Sequence, residues 1–133
     1  MTTVQADRDR GEISTQVVLA LPVLILVLVV AVQAALVFHS GAVASAAAAR
    51  GASVAAGAQN AGLSAAVSGV QVATTTVAEL GAELAHTPAV SMADGLVTFT
   101  VAVRVPRVAL FFPDVVTRVV IEPLERTTME SQR

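Results

Sequence analysis

The chain has 133 residues, of which 55% are hydrophobic, 3% aromatic and 14% charged, and its formal charge is -2; the mean hydropathy is +0.75. There is no cysteine, which excludes a disulfide framework, a thiolate metal site and thiol catalysis, and the slight negative charge gives no electrostatic basis for binding nucleic acid. So apolar a composition is unlike that of an ordinary soluble domain and points to a membrane.

Residues 1–11 read as a short cytoplasmic leader carrying Asp7-Arg8-Asp9-Arg10-Gly11. From Ile13 to Ala49 there is then no Asp, Glu, Lys or Arg. Within this block Val17 to Phe38 covers about 22 residues, roughly 33 Å as an α-helix, enough to cross a hydrocarbon core. The run Val23-Leu24-Ile25-Leu26-Val27-Leu28-Val29-Val30 favours a strand in water, but in lipid the backbone must satisfy its own hydrogen bonds and the helix wins. Pro22 is expected within the first turns, where few intrahelical bonds are lost. A buried core helix is the alternative, but the rest of the chain has too little apolar material to wrap it. Arg8 and Arg10 precede the block and the next basic residue is Arg50, so the positive-inside rule places the N-terminus in the cytoplasm and the remainder outside.

A cleaved signal peptide also has to be weighed, with Ala42-Val43-Ala44 or Ala44-Ser45-Ala46 as the processing site. The apolar block is longer than the usual h-region of about 7–15 residues, and helix-forming sequence continues past both sites. His39 falls at the expected membrane–water boundary as an interfacial residue. Residues 39–62 are mostly Ala, Gly and Ser, so the membrane helix is expected to continue outward. Gly41, Ser45, Ala49, Ser53, Gly57 and Ala61 recur every four residues, a face that lets a second helix approach closely. The same spacing also suits an Ala-rich spacer that packs on nothing.

Gly62 and Gly69 are expected to interrupt this pattern. Val70, Ala73, Val77, Leu80 and Leu84 then outline one face of a helix over 70–85, ended by His86-Thr87-Pro88 because the residue before proline avoids the α region. From Ala89 the period becomes two. Ala89 to Ala93 is a short strand, Asp94-Gly95 a hairpin turn, and Val97, Phe99, Val101, Val103 and Val105 the buried face of a second strand that stops at Pro106. After Leu110-Phe111-Phe112-Pro113, Val115 to Ile121 forms a third strand. The expected fold class is α+β: a long N-terminal membrane-spanning helix extending outward over 12–62, and a unit over 63–124 with a second short helix and a three-stranded antiparallel sheet. Residues 125–133 form a polar tail.

Chemistry is sparse. Glu79, Glu83 and His86 stand at i, i+4 and i+7, a spacing open to metal ligation or acid–base work on one helical face; a solvated polar face explains it better, as no fourth ligand is near. No Ser-His-Asp grouping, phosphate-binding glycine loop or zinc spacing is present. The expectation is a protein that is not an enzyme and needs no cofactor or metal. Phe111 and Phe112 are either an exposed partner contact or a plug for the edge of the small sheet.

The stretch Asp9-Arg10-Gly11-Glu12-Ile13-Ser14-Thr15-Gln16-Val17-Val18-Leu19-Ala20-Leu21-Pro22 resembles the N-terminus of TadE-like minor pilins (pseudopilins) of bacterial Tad/Flp pilus systems. Gln33, the Ala/Arg-rich run Ala46 to Ala52, the strand end Arg104-Val105-Pro106 and the closing Glu122-Pro123-Leu124-Glu125-Arg126 are similar too. The resemblance covers nearly the whole chain and is most distinctive in its N-terminal third. It implies cleavage by a membrane-embedded prepilin peptidase between Gly11 and Glu12, with Glu12 as the new N-terminus. It also implies a helix held in the membrane until an assembly machine packs it against other pilin subunits, and a subunit that primes, caps or is sparsely incorporated into a cell-surface pilus. The family generally carries Glu at the fifth residue after the cut, a carboxylate thought to neutralise a neighbour's N-terminal amine; Gln16 stands here, and Glu12 lies one helical turn earlier. The other functional class is a single-pass anchored binding protein, unprocessed, whose outer α+β unit holds a partner.

Overall fold

A computed structural model describes residues 5–57 and 63–124, with side chains in the first helix from Gln16 onward. Helix α1 (Gln5–Gly57) and helix α2 (Leu63–Glu79) are followed by strands β1 (Ala89–Ala93), β2 (Leu96–Arg104) and β3 (Val115–Pro123). The strands form one antiparallel sheet in the order β1-β2-β3, so the fold is α+β with a long N-terminal apolar helix, as the sequence predicts. Ala61, Gly62 and the tail 125–133 lie outside the described residues.

The hairpin between β1 and β2 turns where Asp94-Gly95 predicts. Both residues have positive φ, 52° and 75°, the backbone of a type I′ turn whose twist matches the strands it joins. That turn sets the register Ala93↔Leu96 through Ala89↔Thr100. Strand β3 pairs along the whole of β2, from Arg104↔Val115 to Leu96↔Pro123. On the other edge of β2, Leu84 bridges Val103, while the Ala85 N–H donates to the Ala102 carbonyl and the Arg104 N–H to the Glu83 carbonyl. The central strand is thereby covered on both sides along its length.

Val97, Phe99, Val101, Val103 and Val105 are all buried, as the alternation requires. They face α1 and α2, which lie side by side against one face of the sheet. The face that α1 buries consists of two adjoining rows at a spacing of four, Val43-Ala47-Gly51-Ala55 and Ala44-Ala48-Ala52-Ala56. The Phe99 ring reaches into the place where the helices meet. A Cβ added at Gly51 would stand 2.6 Å from Phe99 Cζ, and one at Gly69 would stand 2.6 Å from the Gly51 carbonyl oxygen. Neither helix backbone can lie this near the other, or this near the ring, with a side chain in between.

Helix α2 departs from the expected 70–85 at both ends. It begins at Leu63 and runs through Gly69, which is a contact point and not an interruption. It ends at Glu79, well before Pro88. Gly81, at φ 70°, supplies the left-handed residue; its N–H donates to the Ala78 carbonyl and the Ala82 N–H donates to the Val77 carbonyl, the paired bonds of a Schellman cap. Leu84, expected on the helix, therefore belongs to the sheet edge. The threonine run is tolerated because Thr74 and Thr75 donate their hydroxyls back to the Val70 and Gln71 carbonyls at 2.8 and 3.0 Å. Pro22 is also displaced from its expected setting. With α1 starting at Gln5, it lies inside the helix and removes one intrahelical bond there.

Candidate functional site

Helix α1 changes character at Gln33. From Gln16 to Val32, roughly 17 residues and about 26 Å of helix, every side chain is exposed except half-buried Val29. This is the one helix among the described residues long and apolar enough to cross a membrane, and its most apolar window is almost wholly bare of protein. A core helix of a soluble protein would be covered there. From Gln33 onward the folded unit sits on one side of the helix, while Ala34, Ala35, Phe38 and His39 stay exposed on the other.

The boundary is built by one side chain. Gln33 is fully buried. Its Oε1 accepts the backbone N–H groups of Val108 (2.7 Å) and Ala109 (3.0 Å), and its Nε2 donates to the Pro106 carbonyl at 3.3 Å. One turn-pair higher, the buried Ser40 hydroxyl donates to the Arg104 carbonyl at 3.4 Å. The loop joining β2 to β3 is thus latched to α1 through otherwise unpaired backbone groups. Its base is closed by the Val105 N–H donating to the Asp114 carbonyl at 2.8 Å and by an Arg107–Asp114 ion pair at 2.6 Å. Sequence reading noted Gln33 only through the family resemblance. A physical signal was present: an amide inside a charge-free apolar helix is costly unless it is satisfied.

The expected helix-packing residues divide. Gly41 is buried under Arg118, whose Nη2 would stand 3.1 Å from a Cβ there. Ser45, Ala49, Ser53 and Gly57 are exposed, so within this chain α2 packs on the two neighbouring rows and not on this one. Pro22 and Gln16 are exposed on the bare segment. The Gly11–Glu12 peptide lies within α1, so hydrolysis there requires local unwinding, which Gly11 eases by about 1 kcal/mol relative to alanine. The signal-peptidase sites at Ala42–Ala46 fall in the middle of the packed helix, beside buried Val43, Ala44, Ala47 and Ala48.

Glu79, Glu83 and His86 do not share a helical face, because α2 has ended before the last two. Glu83 instead lies 3.7 Å from Arg104. Among the described residues no group of three His, Asp or Glu side chains converges. Of the aromatic pair, Phe111 is 99% exposed, while Phe112 is half-buried; Phe111 therefore does not plug the sheet. No protein-family model matches the chain, and no curated protein or solved structure matches it either.

Proposed function

We propose that this chain is a minor pilin or pseudopilin, a membrane-anchored structural subunit of a Tad/Flp-type pilus system. The observation that carries the reading is the division of one continuous helix into a bare apolar half and a half that bears a small α+β unit. A helix of this design serves two environments with one surface. In the bilayer the bare half is solvated by acyl chains; in a fibre it packs against the same half of neighbouring subunits, an exchange that loses little apolar burial. The span is Ile13 to Val32, about 30 Å of helix, matching a hydrocarbon core. Arg8 and Arg10 hold the leader in the cytoplasm, and the folded unit stands outside the cytoplasmic membrane.

The N-terminal motif that resembles TadE-like subunits supplies the rest. Prepilin peptidase cuts between Gly11 and Glu12, and the Tad assembly machinery then draws the subunit toward other pilins. Gln16 accepts a hydrogen bond from an incoming amine without the charge of a glutamate, and it makes the membrane-inserted state less costly than a buried carboxylate would. Ser45, Ala49, Ser53 and Gly57, exposed among the described residues, offer a face for close approach by a neighbouring subunit's helix.

The test is the intact mass of the C-terminally tagged protein from its native membrane, beside a Gly11→Asp control. A chain starting at Glu12 that disappears in the control supports the reading. A chain retaining Asp7 to Gly11 defeats processing and leaves a permanently anchored protein; a start near Ser45 defeats the anchor altogether.

A further inference from the structure

We propose that the loop between β2 and β3 is a second membrane contact, with its apex Leu110–Phe111 seated in the lipid interface beside the span. The inference rests on the membrane-spanning part of the proposed function and is independent of the pilus role.

The path of the loop carries the argument. At Arg104 the chain lies against Ser40; two to five residues later, Pro106, Val108 and Ala109 lie against Gln33. The loop thus descends seven helical residues, about 10 Å, toward the bare end of α1. It must climb back by Val115, which again pairs with Arg104. The turn of this excursion falls at Leu110 and Phe111, so the apex reaches the level at which the bare segment begins. Leu110 is 81% exposed and Phe111 is 99% exposed, with Val108 exposed beside them.

The chemistry along the loop is graded as a lipid interface is. Val108, Ala109, Leu110 and Phe111 have no polar side chain, and the backbone N–H groups of the first two are already taken by Gln33. The charged pair Arg107–Asp114 is kept at the base, on the side away from the apex. A protein partner would leave the tip as an unpartnered hydrophobic knob in every unassembled subunit, whereas the bilayer is beside it for as long as the span is inserted and is continuous with the bare surface of α1. Acyl chains near the headgroups are the occupant this surface fits.

Because the chain has no tryptophan, single substitutions report their own surroundings. Full-length Phe111→Trp, Leu24→Trp and Ser91→Trp variants are reconstituted in dioleoylphosphatidylcholine vesicles containing phosphatidylcholine brominated either near the carbonyl end or near the middle of the acyl chain. The expected result is blue-shifted emission from Phe111→Trp, quenched at least twofold more by shallow than by deep bromine. Leu24→Trp is quenched most by deep bromine, and Ser91→Trp, on the exposed side of β1, emits as in water. Adding Gln33→Leu to the Phe111→Trp variant weakens the shallow quenching, whereas adding it to Leu24→Trp changes nothing. Unquenched Phe111→Trp beside quenched Leu24→Trp overturns the loop contact and leaves the span standing. Blue-shifted but unquenched Phe111→Trp overturns it in favour of a protein neighbour at the apex. Absence of quenching at Leu24→Trp overturns the span itself.

Discussion

The two halves of α1 share a backbone and differ in almost everything else. Below Gln33 the side chains are mostly Leu, Val and Ile, large and almost all exposed; above it they are mostly Ala, Gly and Ser, and two of their rows are buried. Large aliphatics left bare by the other described residues mark a surface made to be covered, by lipid or by other chains. Small residues placed under a sheet imply close approach, because a helix that lacks side-chain bulk lets a neighbouring helix and a phenyl ring come to its backbone. Side-chain size, more than hydrophobicity, separates the bare half from the half packed within the fold.

The sharpest way to break this comparison is a pair of truncations. Phe99→Ala removes the ring wedged between Gly51 and Gly69 and is expected to destabilise the folded unit by about 3–5 kcal/mol. Leu24→Ala, which removes a side chain no smaller in its contribution to hydropathy, should leave the unit within about 0.5 kcal/mol. Amide exchange of β2 in the detergent-solubilised full chain reads both. Equal effects would mean that the bare half is part of the core.

Leu24→Arg reverses the test. It is expected to raise the cost of membrane insertion by about 2.5–3.5 kcal/mol, seen as protein released by alkaline carbonate, while β2 protection is unchanged. Gly69→Ala probes the packed half alone: the new Cβ meets the Gly51 backbone, which cannot rotate away, and overpacking should cost about 1–3 kcal/mol. Gln33→Leu sits at the junction. It strips partners from three backbone groups of the loop, for an expected loss of about 1–3 kcal/mol, concentrated in the exchange of Val108 and Ala109 and absent from β1. Least affected is Glu83→Gln. Its ion pair with Arg104 is long and exposed, so a double-mutant cycle with Arg104→Ala should return about 0–1 kcal/mol.

The three strands were legible because their signals are local, though the Leu84 bridge on the edge of β2 was not. Alternation from Val97 to Val105 and the Asp94-Gly95 turn specify strand faces and register without help from elsewhere. The second helix was less so. Val70, Ala73, Val77, Leu80 and Leu84 satisfy helical spacing, and the pattern runs straight over Gly81, the residue that ends the helix; a cap outranks periodicity when the left-handed position is already a glycine. Choosing the packing row of α1 was beyond sequence reasoning for a different reason. In so alanine-rich a stretch most fourth-residue rows are small, the one through Arg50 and Val54 excepted, so the spacing says that close approach is available and not where. Phe99 decided it by reaching toward Gly51, and that choice left Ser45, Ala49, Ser53 and Gly57 outside.

The candidate site followed the same division. Hydropathy located a helix long and apolar enough to cross a membrane, but it weighs residue types and not what lies on top of them. The sequence by itself determined the length and greasiness of the helix, the α+β class, the hairpin and the buried face of β2, all properties of neighbours within a few residues. Only the tertiary structure decided that Gln33 is the boundary, that the loop some seventy residues away descends to meet it, and that Leu110 and Phe111 are thereby held at the edge of the bare segment. The physical reason is that a lone amide in an apolar helix states a need for hydrogen bonds, while the fold alone determines which backbone groups meet it.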